Sequence, residues 1–245
     1  MISTELKQLW KISLSMTSTW GPEKDFELME KYKPFWKKLK RGKLRITSEI
    51  LHGVSESSSS FFERQQSSRI KTYLQKVFYI FDEDSYRKCL DYFFNGTNIK
   101  KSFEDKRNLI LALPQKERSL YINSFAHQRE EHGKLSIINQ YCTALPSAGI
   151  MAYDISNCVC ICRLGLYQGY LKEGELSSYL DPLALKAQEN YSSFEEFGLS
   201  SIVGLLYSMD EVDLNAYNYC MDKLKLAVTH PQSYWNNIDW NLNLS

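Results

Sequence analysis

No run of eighteen apolar residues occurs in this 245-residue sequence, which argues against a membrane-spanning helix. It has no Walker loop, no dinucleotide fingerprint and no G-x-S-x-G elbow, so the common nucleotide- and ester-handling motifs are missing. The six cysteines follow no disulfide framework and read as reduced thiols of a cytoplasmic protein. The N-terminal MISTELKQLWKISLSM carries Glu5 and Lys7 and has no clean apolar centre, which argues against a secretory leader. Strand-like alternation is rare; the best example is residues 44–51. Net charge is nearly absent at +1, while aromatic residues are plentiful, so composition excludes a disordered chain.

That near-neutral total conceals a division. Residues 1–145 hold 25 lysines and arginines against 17 aspartates and glutamates, a net +8; residues 146–245 hold 5 against 12, a net −7. Such a split arises either from attraction between layers of one fold or from a partner-binding face of one sign. The basic run at 31–45, with Phe35 and Trp36 inside it, reads as a solvated helix face with its aromatics turned inward; no nucleic-acid partner is expected.

Helical periodicity dominates the remainder, and the fold class expected is all-α: one compact multi-helix domain. A basic N-terminal helical part (1–145) would pack on an acidic C-terminal core (146–245). A short amphipathic helix fits 5–16. Pro22 suits a first turn, and Pro34 should kink the helix that follows or split it after Lys33. The serine-rich stretch 55–60 leads into a helix over 61–81, with Val77, Phe78 and Phe81 assigned to its buried face. Asp84 or Ser85 should cap the next helix, and Asn95-Gly96 should stop it. Residues 152–170 are apolar on most faces, as a centrally buried helix must be. The helix after it begins near Lys172 and should break at Asp181-Pro182, because the residue before proline avoids the α region. Ser192 or Ser193 followed by Glu195 and Glu196 is a capping-box pattern. The tail 230–240 should fold its aromatics back onto the domain.

Within the apolar segment AYDISN, then RLGLYQGYL, then Gln188-x-x-Tyr191-Ser192-Ser193-Phe194-Glu195-Glu196, and at the end Ser233 to Trp240, the chain resembles bacterial YbeU/YbeR-like proteins, domain of unknown function family 1266. Tyr153 and Phe194 stand where that family usually has Trp, Ser156 where it usually has Arg, and Tyr234 and Asp239 where it usually has Pro. The Ser156 departure removes a charge that could have faced Asp154. The resemblance is good over 146–240 and faint over 82–110. It implies a helical core and no established chemistry.

Asp154 is the most conspicuous polar residue, because a carboxylate in so apolar a helix needs a partner. Arg163, nine positions on, falls on the opposite face at about 100° per residue. Together with Glu195 and Glu196 these residues are expected to form a structural hub. Cys158, Cys160 and Cys162 lack the convergent spacing of a metal site, and the histidines 52, 127, 132 and 230 are scattered; no metal and no cofactor is expected. Two functions fit. One is a non-enzymatic binding protein, in its most concrete form an immunity protein neutralising a cognate toxin through Glu173, Glu175, Glu189, Asp210, Glu211 and Asp213. The other is a hydrolase-like enzyme with a cleft around Asp154. No membrane partner is expected, and the sequence sets no oligomeric state.

Overall fold

The structure, a computed structural model, describes residues 4–55 and 59–244. Among them every regular element is helical and none is a strand. The reason lies in the helix that everything else surrounds, labelled α10 in chain order (Met151–Gln168). Fifteen of its eighteen residues, Met151 through Gly165, are buried. A helix so apolar all round must be covered on every side. The α6 (Glu83–Asn95), α11 (Glu173–Asn190) and α12 (Phe194–Tyr207) helices pack on it, as does a 3-10 turn at Leu14–Thr17. Two glycines allow the closest approaches: a β-carbon at Gly204 of α12 would collide with Tyr153, and one at Gly165 of α10 with the Tyr86 ring of α6. Gly169 ends α10 with φ +77°, a left-handed conformation that costs glycine little.

The N-terminal segment completes the jacket. Helix α1 (Thr4–Ser13) and the 3-10 turn bury Leu9, Trp10, Ile12, Leu14 and Met16 completely. Helices α2 (Glu23–Lys31) and α3 (Phe35–Lys40) are separated at residues 32–34, with Pro34 immediately before α3, where its missing N–H costs nothing. Phe35 and Trp36 are buried, and the Trp36 indole donates to the Gln232 carbonyl. Residues of both halves share one core, so no boundary in packing falls at 145/146.

Three local expectations are corrected. Residues 44–51 do not form a strand; they lead into a one-turn helix, α4 (Ser48–His52). The Thr47 hydroxyl accepts from the Ile50 N–H at its start, Gly53 closes it at φ +68°, and Ile50 and Leu51 are buried. With no neighbouring strand to take its backbone groups, the segment satisfies them by caps instead. Nor does Asp181-Pro182 break α11, which runs through the proline. Proline removes one hydrogen bond, but its ring is exposed while Leu180, Leu183, Ala184 and Ala187 bury one continuous face; that burial outweighs the lost bond. Finally, Asp82 caps α6, in a capping box with Ser85. Of the serine-rich stretch, residues 56–58 lie outside the described residues. It leads into α5 (Ser60–Phe78), which ends at Tyr79. Phe78 is buried; Val77, about 100° round the same helix from it, is exposed, and so is Phe81, because the helix stops before a further turn could carry it inward.

The remaining helices are α7 (Asn98–Ala112), α8 (Gln115–Asn123), α9 (Arg129–Tyr141), α13 (Leu214–Thr229) and α14 (Tyr234–Asn237). The tail does fold back. Phe194 stacks on Trp235 at 5.4 Å, Trp10 lies 5.1 Å from Trp240, and the Trp240 indole donates to the Tyr191 carbonyl.

Candidate functional site

Asp154 is 2 % exposed, and Thr97 occupies both of its oxygens. The Thr97 N–H donates at 3.0 Å and its hydroxyl at 2.9 Å, and the same hydroxyl accepts from Lys100 N–H at the start of α7. The carboxylate therefore ties the central helix to the turn between α6 and α7. Burial raises its pKa, only partly offset by the Thr97 bonds. Ser156 does not face it; that hydroxyl meets Thr17 at 3.5 Å on another side of the helix. An arginine at 156 would thus not have partnered Asp154.

Arg163 has its own carboxylate, one that sequence spacing did not reveal. Its guanidinium donates to Asp25 at 2.6 and 3.1 Å, to the Ser15 hydroxyl at 2.7 Å and to the carbonyls of Ile50 and Leu51. All five N–H groups are directed at acceptors, and the last two contacts cap the carbonyl end of α4. Burial alone would lower the Arg163 pKa, but the adjacent Asp25 carboxylate more than reverses this. The hub is therefore two separate anchors on α10. Glu195 and Glu196 belong to neither: Glu195 is exposed, and Glu196 accepts from the Ser192 N–H and hydroxyl while Ser193 caps its own N–H.

A third buried carboxylate, Glu49 of α4, also escaped sequence reasoning. Lys31 and the Tyr32 hydroxyl each donate to one of its oxygens, beside a polar hollow of about 370 Å³ that Glu173 also borders. Burial, then Glu49, raises the Tyr32 pKa.

Two of the carboxylates assigned to partner binding, Glu175 and Asp213, also serve the starts of their helices. Glu173 and Glu175 open α11 and Glu189 lies near its end, sixteen positions or about 24 Å from Glu173. Glu175 accepts from Lys172 N–H and pairs with Arg87, and these contacts, the backbone bond first, lower its pKa. Asp213 caps α13 through the Ala216 N–H. Asp210 and Glu211 are exposed beside a hollow of about 240 Å³ that also presents Arg129, His132 and Lys134. The charge there is mixed.

A larger concavity, about 650 Å³, lies between the end of α5, α6, the start of α7 and the end of α12. Its lining is mostly apolar and aromatic, with Lys88 at the mouth held by Asp84 at 2.6 Å. Burial pushes the Cys89 thiol there up to about 12 and raises the Tyr153 hydroxyl, so both are neutral at physiological pH. The cysteines of α10 line up as sequence geometry requires: Cys158 and Cys162 share a face, and their contact, with burial, raises the Cys158 pKa. Among the described residues no group of three or more His, Cys, Asp or Glu converges as a metal site would require.

Residues 73–240 match the family described as a protein of unknown function (DUF1266). The chain belongs to that family. The DUF1266 match begins within α5 and includes Asp154, Arg163 and the Tyr191–Phe194–Trp240 cluster, but not Asp25, Glu49 or Trp10. No curated protein and no solved structure matched the chain.

Proposed function

We propose that this protein works by binding another protein and is not an enzyme. One observation carries the reading. Among the described residues the buried carboxylates are Asp25, Glu49 and Asp154, and each is spent on contacts that hold helices together. General acid–base catalysis needs a titratable group that can reach a reacting atom. The hydrolase-like alternative would need Asp154 released from Thr97 into a cleft.

In its most specific form the partner is a cognate toxin and the protein its immunity factor, in the cytoplasm of a bacterium, within the YbeU/YbeR-like group that the 146–240 motifs resemble. The six free thiols fit a reducing compartment. Of the six carboxylates first assigned to this contact, Asp210 and Glu211 suit it best: both are exposed on the loop between α12 and α13. Association steered by such charges weakens with added salt.

The test is co-expression and co-purification with the product of the adjacent gene. A salt-sensitive complex, weakened by Asp210→Lys with Glu211→Lys, supports the reading. No complex, together with turnover of a substrate that Asp154→Asn abolishes without lowering the melting temperature, would overturn it in favour of the enzyme.

A further inference from the structure

The concavity beside α6 has the dimensions and lining of a small-molecule site. Its volume of about 650 Å³ falls in the range typical of such sites, about 300–1,000 Å³. On α6 the lining residues are Ser85, Lys88, Cys89, Tyr92 and Phe93, a single stripe at helical spacing.

Its walls are chemically specific. Phe78, Phe93 and Tyr153, all buried, form a floor of successive edge-on rings, 5.8 Å apart at 85° and 6.1 Å apart at 60°. Tyr79 and Tyr92 stand at the rim, 75 % and 41 % exposed. Tyr79 closes α5 at φ +56°, a conformation that disfavours a bulky side chain, and its ring gains no burial in return. No carboxylate lines the groove, and its one ammonium group, Lys88, is already paired. The remaining polar side-chain groups are uncharged: the hydroxyls of Thr19, Ser85, Ser208 and the three tyrosines, and the Cys89 thiol.

We propose that this groove binds a neutral, planar aromatic small molecule carrying a hydroxyl or carbonyl group. The aromatic class follows from the rings: their electron-poor edges and electron-rich faces reward another ring in offset or edge-on contact, which an alkyl chain cannot reproduce. Neutrality follows from the absence of a free counter-charge, since a buried unpaired ion is costly. The groove shares no lining residue with the hollow beside Asp210 and Glu211.

The experiment titrates the full chain with the neutral fluorophore N-phenyl-1-naphthylamine. Saturable binding is expected, displaced by 2-naphthol and not by 1-decanol. Val77→Arg alters a half-exposed wall residue and should weaken binding about tenfold or more, by placing a charge in the groove. Leu120→Arg, at an exposed apolar residue outside the lining, should bind as the unaltered chain does. Far-UV circular dichroism confirms that both variants are folded. Cys89 gives a second readout: it is half-buried while the other five cysteines are buried, so the fluorophore should slow its modification by N-ethylmaleimide severalfold. Displacement by decanol as effective as by naphthol would overturn the aromatic class. Equal binding by folded Val77→Arg, or no protection of Cys89, would overturn the site.

Discussion

Two residues of α10 show how a buried charge is accommodated. Asp154 accepts two hydrogen bonds from Thr97. In Asp154→Asn the amide oxygen can keep the Thr97 N–H, and the amide nitrogen can donate to the Thr97 hydroxyl, so the loss should be about 1 kcal/mol. Asp154→Ala leaves the Thr97 N–H without an acceptor and should cost about 2–3 kcal/mol. The pH dependence has a definite sign. The folded-state pKa lies above the ordinary 3.8, so the protonated form gains more from folding. That contribution is complete below about pH 3.8 and declines as pH rises through the folded value. The asparagine variant has no titrating group at this position. Urea denaturation should therefore find the stability gap between the native chain and Asp154→Asn widest in acid and narrower at neutral pH. For Arg163, removing one partner of a buried pair costs about 3–5 kcal/mol, whereas replacing both by apolar groups costs far less. Asp25→Ala should therefore destabilise strongly, and Asp25→Leu with Arg163→Met by less than the sum of the two single changes. A double-mutant cycle in urea measures the coupling, and strict additivity would refute it.

Helix α10 is held by close contact as well as by its anchors. Gly204→Ala drives a methyl group into Tyr153, which neither the α10 nor the α12 backbone can easily yield to, so melting should report a loss of about 1–3 kcal/mol. Ile155→Asp places an unpaired carboxylate at a position 1 % exposed and should leave little soluble protein. Leu166→Asp, near the end of the same helix and only half-buried, should be milder. Soluble yield and melting temperature of Ile155→Asp equal to those of the unaltered chain would show that α10 is not the centre of the fold. Helix α11 makes the complementary point, since its buried face carries it through Pro182.

The molecule as a whole depends on residues outside the family match. The family span begins at residue 73, yet Leu9, Trp10, Ile12, Leu14 and Met16 have no exposed surface, and Asp25 is the partner of Arg163. Deleting residues 1–72 would bare one side of α10 and leave Arg163 buried or exposed without its carboxylate. Against a typical total stability of about 5–15 kcal/mol, the broken pair alone could cost about 3–5 kcal/mol before lost burial is counted. The fragment 73–245 should then show no cooperative thermal transition by circular dichroism. A sharp transition and dispersed amide resonances would show that the family region folds alone.

Local pattern determined much of this protein. The apolar character of 152–170 announced a buried helix, Ser192 or Ser193 with Glu195 and Glu196 the start of a later one, and the aromatic tail its return to the core. These signals lie within one or two turns of chain, where helical spacing fixes which side chains meet. Other features depended on which segments the topology brings together. Asp25 reaches Arg163 across 138 positions, and Thr97 reaches Asp154 across 57, separations at which no periodicity in sequence relates one residue to another. Burial decided that α11 runs through its proline and that residues 48–52 coil instead of extending. The length of α11 set Glu173 and Glu189 apart. The aromatic groove likewise exists only because the tip of α5 stops at Tyr79 while α6 and α12 converge beside it, and packing geometry, not composition, opens such a space.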